Sequence, residues 1–426
     1  MSFMKWIKPG LGIKRWIFLG LIGIISFSFG LSTIFYKTVF NLVQNWIIIT
    51  CLIIVGVILI VFSIKKSIQS ILKVVCNYKG YNALDKETIN KLLYKEKILN
   101  KGPKIVVIGG GTGLSVLLRG LKEYTSNITA IVTVADDGGG SGILREDLGM
   151  LPPGDIRSCL VALANTEPTM EKILQYRFKE GSLKGQSFGN LFIAAMNEIY
   201  GNFEVAIKEI SNVLAVTGRV LPMTTESVKL YAKLKNGKVI EGESNIPVKS
   251  KEADSEIDHV FIKPRKLRPL EEALDVIREA DCVVLGPGSL YTSVIPNLLI
   301  NDLVKEIEKS QAIKVYITNV MTQPGETDNY GVVDHIDAIS KHTKKSIIDY
   351  VITNIERIPP YTLIKYHEDG AKPVIITDEE EEELLSRGIG VIKDNLVDVK
   401  KNYIRHDAKK LSEIITNLVL NKRFKI

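Results

Sequence analysis

Residues 104–142 place a strand pattern, a glycine cluster, a helix pattern and a second strand pattern in direct succession. After the apolar run 105–108 come Gly109, Gly110, Gly111 and Gly113. The helix pattern has an apolar face of Leu114, Leu117, Leu118 and Leu121. A second apolar run, 128–134, is followed by Asp136 and Asp137. Doubly wound sheets use this unit to hold a phosphate group at a helix N-terminus. We therefore expect the chemistry of the chain where these two loops meet.

The rest of the chain predicts an α/β fold, a Rossmann-like, doubly wound and mostly parallel sheet. Helices are predicted over 268–280, from a start at 187–190, and after Pro152 and Pro153, where Asp155 is a candidate cap. The acidic run 379–384 predicts a solvated helix start. Strands are predicted within 213–245, around a turn at Asn236 and Gly237, and at 282–285, 314–318, 347–352 and 374–376.

Two uncharged segments, 16–36 and 38–64, precede this region. Each exceeds the roughly 18–20 apolar residues that span a bilayer. Aromatic rings suited to the membrane interface lie near their ends at Trp16, Tyr36, Trp46 and Phe62. A cleaved signal peptide is the competing interpretation, because Lys5, Lys8, Lys14 and Arg15 form a basic start. The missing small-residue cleavage site and the second segment favour a two-span hairpin.

Flanking charges predict the orientation of these spans. Basic residues precede the first span, Lys65, Lys66 and Lys73 follow the second, and only Lys37 lies between them. By the positive-inside rule, both termini and the main domain should be cytoplasmic, at the cell membrane. The predicted domains are a transmembrane hairpin at 1–66, a charged juxtamembrane stalk at 67–102 and a nucleotide-binding domain at 103–426.

The net charge of +7 divides unevenly along the 426 residues. Residues 1–104 carry 15 Lys/Arg and 3 Asp/Glu, a net +12, which leaves 40 and 45 of the totals of 55 and 48, a net −5, for the remainder. The basic part suits anionic lipid, and the mildly acidic domain argues against a nucleic-acid partner. The four cysteines have no paired spacing, and the five histidines do not cluster with the glycine loops, so no disulfide framework, zinc site or nucleophile–histidine pair is predicted.

The first glycine loop fits neither common nucleotide fingerprint. In GxGxxG the third glycine would be Leu114 or Val116, and no GK[ST] occurs for a Walker A loop. What the loop offers is a row of backbone N–H groups able to hold an anion, with a purely structural turn as the alternative.

Asp136 and Asp137 follow the second strand and precede another glycine cluster containing Gly139 and Ser141. Paired carboxylates close to backbone suit a hydrated divalent ion, Mg²⁺, that bridges a diphosphate. A single acid at this position commonly binds a ribose hydroxyl, and a solvated turn without ligand is the third alternative.

Two later loops are expected at the same sheet edge. Residues 286–289 form a second anion-binding turn, followed by Tyr291, which either stacks on a base or sugar or belongs to the core. The loop 319–328 contains Thr322. Three loops at the carboxyl ends of different strands predict a nucleotide-sized crevice at a topological switch point.

Six motifs together resemble the YvcK/CofD family, specifically its gluconeogenesis factor branch, over roughly 103–420: IGGGTGLSVLLRGL, TVADDGGGSG, LPPGDIRSCLVALA, SFGNLFIAA, LGPGSLYTSVIPN and NVMTQPGETD. The resemblance implies a Rossmann-like fold and a nucleotide ligand. In the CofD branch of 2-phospho-L-lactate transferases, aspartates matching Asp136 and Asp137 lie at a metal and phosphate site. In the YvcK branch the ligand is UDP-N-acetylglucosamine, and members support gluconeogenic growth and cell shape, with a regulatory role in cell-wall precursor supply.

The leading hypothesis is a membrane-tethered UDP-sugar sensor that acts through a partner enzyme. A Mg²⁺-dependent transferase is the alternative, and a NAD-linked oxidoreductase is disfavoured by the broken fingerprint. The partner and the oligomeric state, a homo-oligomer included, stay open. The candidate ligand-binding residues are Gly110, Gly111, Thr112, Gly113, Asp136, Asp137, Gly139, Ser141, Asn190, Gly286, Gly288, Ser289, Tyr291 and Thr322, with Asp136 and Asp137 as candidate metal ligands.

Overall fold

The computed structural model describes residues 14–35, 46–78, 96–166, 168–400 and 403–423, and the chain divides into two compact units, 1–94 and 95–426. The described part of the first unit is two helices, α1 (Lys14–Phe35) and α2 (Trp46–Tyr78), both long and apolar enough to cross a membrane. The predicted connection at Lys37, and residues 79–95 of the predicted stalk, lie outside the described residues. Helix α2 continues past position 66, where the stalk was predicted to begin.

Helices α1 and α2 pack antiparallel at very short range. The Ser63 hydroxyl donates a hydrogen bond to the Trp16 carbonyl near one end of the pair. Further along, a Cβ atom on Gly56 would lie 2.7 Å from the backbone nitrogen of Phe27. Only glycine permits this approach of two backbones, and small residues at the contact are typical of helix pairs in membranes.

The described part of the second unit contains twelve strands. These are β1 (Ile105–Gly109), β2 (Ile128–Val132), β3 (Arg219–Pro222), β4 (Lys229–Leu234), β5 (Val239–Glu241), β6 (Ile257–Lys263), β7 (Cys282–Leu285), β8 (Ile313–Ile317), β9 (Tyr350–Asn354), β10 (Gly390–Asp394), β11 (Val397–Lys400) and β12 (Tyr403–His406). Seven form the main sheet, in the order β10-β9-β8-β7-β1-β2-β3. All of its pairings are parallel, as predicted.

Helices connect these strands. They are α3 (Gly111–Leu121), α4 (Gly139–Leu148), α5 (Gly154–Leu163), α6 (Pro168–Gln175), α7 (Phe188–Tyr200), α8 (Phe203–Val213), α9 (Asn245–Glu252), α10 (Glu271–Arg278), α11 (Ile295–Leu298), α12 (Asn301–Lys309), α13 (Val332–Thr343), α14 (Pro360–Asp369), α15 (Asp378–Ser386) and α16 (Ala408–Arg423). The predicted leucine face of α3 is fully buried. One π-helical turn, Leu290–Val294, precedes α11.

The switch point of the main sheet lies between β1 and β7. From β1 the chain proceeds outward through β2 and β3, whereas from β7 it proceeds the other way through β8, β9 and β10. Ile105 is therefore paired with Ile128 on one side and with Cys282 on the other. A switch point of this kind forms a crevice at the carboxyl ends of its strands, which is the predicted position of the site.

Two antiparallel additions complete the unit. Strands β5, β4 and β6 form a small sheet between β3 and β7 in the sequence, and it contains the predicted turn at Asn236 and Gly237. Strands β11 and β12 form a hairpin just before α16.

The predicted strand at 374–376 is wrong, because this segment makes isolated backbone contacts and no strand ladder. Val374 donates its N–H to the carbonyl of Val320, and the neighbouring Pro373, which has no N–H, forms an isolated bridge with Met321. The outermost strand of the sheet is β10 instead.

Candidate functional site

The loops after β1 and β7 touch each other through glycine. A Cβ atom on Gly113 would lie 2.7 Å from the carbonyl oxygen of Pro287, and one on Gly288 would lie 3.1 Å from the oxygen of Gly110. Gly111 starts α3 with φ +69°, a left-handed conformation that favours glycine. The predicted convergence of two glycine loops is thus present, and side chains there would separate the loops.

A cleft of about 370 Å³ opens above this contact, within the size range of small-molecule sites. Its lining includes the first glycine loop, the second one and the hairpin β11–β12. The lining residues are Gly110, Gly111, Thr112, Gly113, Val116, Pro287, Gly288, Ser289, Ser293, Asn319, Val320, Met321, Gln323, Tyr366, Tyr403, Ile404, Arg405 and His406. The cleft therefore combines backbone-rich loops with polar, aromatic and apolar side chains.

A chain of amides holds one wall of the cleft. Gln323 Nε2 donates to Ser289 Oγ at 2.7 Å, and Asn319 Nδ2 donates to Gln323 Oε1 at 3.2 Å. Asn319 Oδ1 is buried and has no hydrogen-bond partner among the described residues. An unpaired buried acceptor is costly, so this atom is a candidate contact for a ligand donor.

Strand β12 supplies four cleft residues that the sequence reasoning missed: Tyr403, Ile404, Arg405 and His406. Burial lowers the pKa of His406 to about 4, and its Nε2–H donates to the carbonyl of Thr318 at 2.9 Å, so this ring is neutral and structural. Arg405 pairs with Asp398 in the hairpin ladder, and its guanidinium has no hydrogen-bond or ion-pair partner within the described part of the chain. A guanidinium beside two glycine loops is the expected partner for a phosphate group. The two regions lie about 290 positions apart, since Gly113 and Arg405 differ by 292, and no local pattern connects them.

A half-buried acidic cluster lies beside the first glycine loop. Asp155 accepts a hydrogen bond from the Gly111 N–H, and burial together with the Asp136 charge raises its pKa to about 6. Asp136 Oδ1 accepts from the Gly138 N–H at 2.9 Å. Burial, followed by the charge of Asp136, raises the pKa of Glu243 to about 8. The predicted capping role of Asp155 is wrong: its side chain makes no cap bond in α5, because it turns to the glycine loop instead.

The other predicted acid, Asp137, faces backbone. Its Oδ1 accepts from the Ser244 N–H at 2.9 Å and its Oδ2 from the Glu243 N–H at 3.1 Å. These bonds anchor the segment that enters α9. Among the described residues, no group of three His, Cys, Asp or Glu side chains is arranged to hold a metal ion. A Mg²⁺ ion here would need water and ligand phosphate oxygens beside carboxylates, as is common for this ion.

Three further predicted residues lie near Asp136 and outside the cleft lining. Asn190 Nδ2 donates to Ser141 Oγ at 3.5 Å, and Asn190 Oδ1 is buried without a partner among the described residues. A Cβ atom on Gly154 would lie 2.4 Å from Ser141 Oγ and 2.9 Å from Asp136 Oδ2, which places these two side chains close together. Gly139 begins α4 with φ +47°. These residues form the floor around the acidic cluster.

Tyr291 and Thr322 belong to the protein interior. Tyr291 is 2% exposed, and its hydroxyl shares a 2.8 Å hydrogen bond with that of Tyr330. Thr322 is 4% exposed, and its hydroxyl accepts from the Lys372 N–H at 2.9 Å. Neither lines the cleft, so the structure favours the core alternative for Tyr291. Gly286 shapes the second loop with φ +82°.

A parallel sheet with two glycine loops meeting at its switch point, beside a half-buried acidic cluster, defines a Rossmann-like α/β protein with an anion-binding type of cleft. The family profile described as 2-phospho-L-lactate transferase CofD matches residues 105–397. The chain belongs to this CofD/YvcK family, as its motifs predicted.

Known relatives fall into two lengths. A protein of Clostridium acetobutylicum is 49% identical and aligns over 99% of this chain and 93% of its own length, so its alignment includes the N-terminal segment. The Gluconeogenesis factor of Bacillus subtilis is also 49% identical, over 75% of this chain and 99% of its own. A crystal structure of a Bacillus halodurans protein superposes with a TM-score of 0.70 at 48% identity, covering 74% of this chain and 99% of that one. A chain about the length of the second unit therefore accounts for nearly the whole Bacillus subtilis protein.

Proposed function

We propose that this chain is a UDP-sugar-binding regulatory protein, with UDP-N-acetylglucosamine as its ligand. The single observation that carries this proposal is the meeting of both glycine loops and Arg405 in one cleft. Backbone N–H groups at the start of α3, and a guanidinium that no described side chain engages, suit a diphosphate. Asn319 and Gln323 offer amide groups for a sugar or a base. The name of the Bacillus subtilis relative supports a role in gluconeogenic growth.

The acidic cluster adds a candidate place for Mg²⁺. Asp136 and Asp155 provide the oxygen ligands that this ion prefers, and a divalent charge would relieve their mutual repulsion. Asp137 fits this role less well, since both of its oxygens already accept backbone N–H groups. When bound, the ion would neutralise diphosphate charge beside these carboxylates.

In the cell, ligand occupancy would report the supply of cell-wall precursor to a partner enzyme at the cytoplasmic face of the membrane. The two apolar helices α1 and α2 support membrane attachment. A strain lacking the gene is expected to grow on glucose and to fail, with altered cell shape, on a gluconeogenic carbon source.

The decisive test is a calorimetric titration of residues 96–426 with UDP-N-acetylglucosamine, with and without Mg²⁺, while the mixture is assayed for UDP and UMP. Binding with an intact ligand supports a sensor. Absence of both heat and turnover would refute the ligand assignment.

A Mg²⁺-dependent transferase is the second candidate, favoured by the CofD family profile and by the raised pKa values of Asp155 and Glu243. Phosphoryl transfer relies on positioning and charge stabilisation, so the cleft needs no nucleophilic side chain. Metal-dependent consumption of a nucleotide conjugate in the same titration would decide in its favour.

A further inference from the structure

The loop that connects α6 to α7 is an exposed tongue. Its two arms are held together by backbone bonds, from the Phe178 N–H to the Gln186 carbonyl and from the Phe188 N–H to the Tyr176 carbonyl. An isolated antiparallel bridge joins Arg177 to Ser187 between them. The tip, 179–185, is exposed throughout. We call residues 176–188 the tongue.

Apolar side chains on the tongue are unusually open to solvent. Tyr176 is 49% exposed, Leu183 41% and Phe188 38%. The rings of Tyr176 and Phe178 contact each other edge to face, with centroids 5.3 Å apart. On the neighbouring helix α6, Met170 and Ile173 are about equally exposed, at 40% and 41%. Adjacent apolar side chains of this kind mark an interaction surface more often than isolated ones do.

The charge of the tongue is positive, although the second unit as a whole is acidic. Arg177, Lys179 and Lys184 are opposed only by Glu180 within the tongue, a net +2. The ammonium groups of Lys179 and Lys184 form no ion pair with a described carboxylate. Aromatic, leucine and basic side chains on one protruding element match the requirements of an anionic lipid surface, where rings and aliphatic groups enter the headgroup layer.

We propose that the tongue docks the second unit onto an anionic bilayer surface. The proposal rests on the surface chemistry above and on the two helices of membrane-spanning character, and it is independent of the proposed nucleotide ligand. Seventeen residues, 79–95, separate α2 from the first described residue of the second unit. Membrane attachment through α1 and α2 would raise the effective concentration of lipid at the second unit.

The base of the tongue contacts the residues around the acidic cluster, so docking of the tongue would act next to the candidate site. Gln186, at the base of the tongue, has a buried Oε1 without a described partner, and a Cβ atom on Gly140 would lie 2.6 Å from that oxygen. Ser187 caps α7 by accepting from the Asn190 N–H and receives a hydrogen bond from Arg157. A membrane contact at the tip is therefore one short hairpin away from the loop that follows Asp137.

The test uses residues 96–426, a chain about the length of the Bacillus subtilis relative. All three tryptophans of the chain lie at positions 6, 16 and 46, so this fragment has none. Leu183→Trp places a single reporter on the tongue. Leu385→Trp is the matched control, because Leu385 is 55% exposed on α15, the helix that packs against the outermost strand β10. Vesicles of phosphatidylcholine with about one quarter phosphatidylglycerol supply the anionic surface.

We expect a blue shift and quenching by brominated lipid for the tryptophan at 183 and neither for that at 385. Reversing Lys179 and Lys184 to Glu should weaken vesicle binding by at least about tenfold, whereas reversing Lys238 and Lys309 should not. No lipid-dependent shift at 183, or an equal shift at 385, overturns the proposal. A shift that depends on protein concentration without lipid would identify the tongue as an interface between copies, and would overturn it as well.

Discussion

The main sheet has a cleft at each end of its strands, and the larger one is the less promising. The cleft at the amino ends of β8, β9 and β10 measures about 910 Å³, against about 370 Å³ at the glycine loops. In the larger cleft these charged groups already have backbone hydrogen-bond partners. Lys314 Nζ donates to the Ser310 carbonyl, Lys422 Nζ donates to the Gln311 carbonyl, and Asp349 accepts from the Lys314 backbone N–H. In the smaller one, the Arg405 guanidinium and Asn319 Oδ1 lack described partners. Unpaired polar atoms, rather than volume, identify the site.

Removing the guanidinium of the smaller cleft should have the largest effect on binding. Arg405→Ala is expected to weaken UDP-N-acetylglucosamine binding roughly 10- to 100-fold, because a charge-assisted hydrogen bond contributes about 1.5–3 kcal/mol. Titration calorimetry measures this. Lys422→Ala, in the larger cleft, is the matched control and should leave affinity unchanged. If Lys422→Ala loses affinity and Arg405→Ala does not, the ligand binds in the larger cleft and the assignment of the two clefts is wrong.

The half-buried carboxylate of Asp155 should oppose stability while it supports binding. Its raised pKa means that the folded state favours the protonated form, so the cost of ionisation develops between about pH 4 and pH 6 and is complete above pH 6. Asp155→Asn should therefore stabilise the fragment by about 2–3 kcal/mol at pH 8 and have little effect below pH 4. Scanning calorimetry at both pH values checks the sign.

The same variant separates stability from function. Asp155→Asn is expected to abolish the Mg²⁺-dependent part of ligand affinity although it raises the melting temperature. Loss of stability at pH 8 would show that the carboxylate is needed for the fold and not for the site.

Two glutamates with raised pKa values, Glu243 of the acidic cluster and Glu326 of the loop 319–328, predict how the second unit responds to pH. Burial raises the pKa of Glu326 to about 7, and that of Glu243 lies at about 8, so both groups bind protons more readily in the folded state. Ionising these groups costs more in the folded state than in the unfolded state. The free energy of unfolding should therefore fall as pH rises from 6 to 8.5, and by more than either glutamate alone would cause. Urea midpoints at pH 6, 7 and 8.5 test this. Glu243→Gln should flatten the dependence, and an unchanged slope in that variant would contradict the assignment.

The amide wall of the small cleft should contribute least. Ser289→Ala removes the acceptor of the Gln323 side chain and should reduce affinity roughly 2- to 10-fold, the range of a neutral hydrogen bond. Ser310→Ala, beside the larger cleft, breaks a hydroxyl bond to the Ile277 carbonyl and should leave affinity unchanged. A larger loss of affinity for Ser289→Ala than for Arg405→Ala would indicate that the ligand binds mainly against the amide wall.

Local patterns predicted most of the sheet and both glycine loops. Continuous apolar runs such as 105–108 and 282–285 predicted buried parallel strands, because strands covered on both faces need no polar alternation. The run at 374–376 misled, since Pro373 removes a ladder donor and the segment makes single backbone bonds with 320–322 in place of a strand ladder. The acids were found as a pair, but the structure joins Asp136 to Asp155 and turns Asp137 toward Ser244.

The sequence alone determined the family, the α/β class, the two apolar helices and the loops able to hold an anion, because each depends on neighbours within a few turns of chain. The tertiary structure decided which side chains share the cleft. Arg405 reaches the glycine loops only because β12 follows the last strand of the sheet and returns toward β1. The tertiary structure also decided which carboxylates have raised pKa values. Burial and nearby charges raise the pKa of Asp155 and Glu243, and spacing along the chain encodes neither cause.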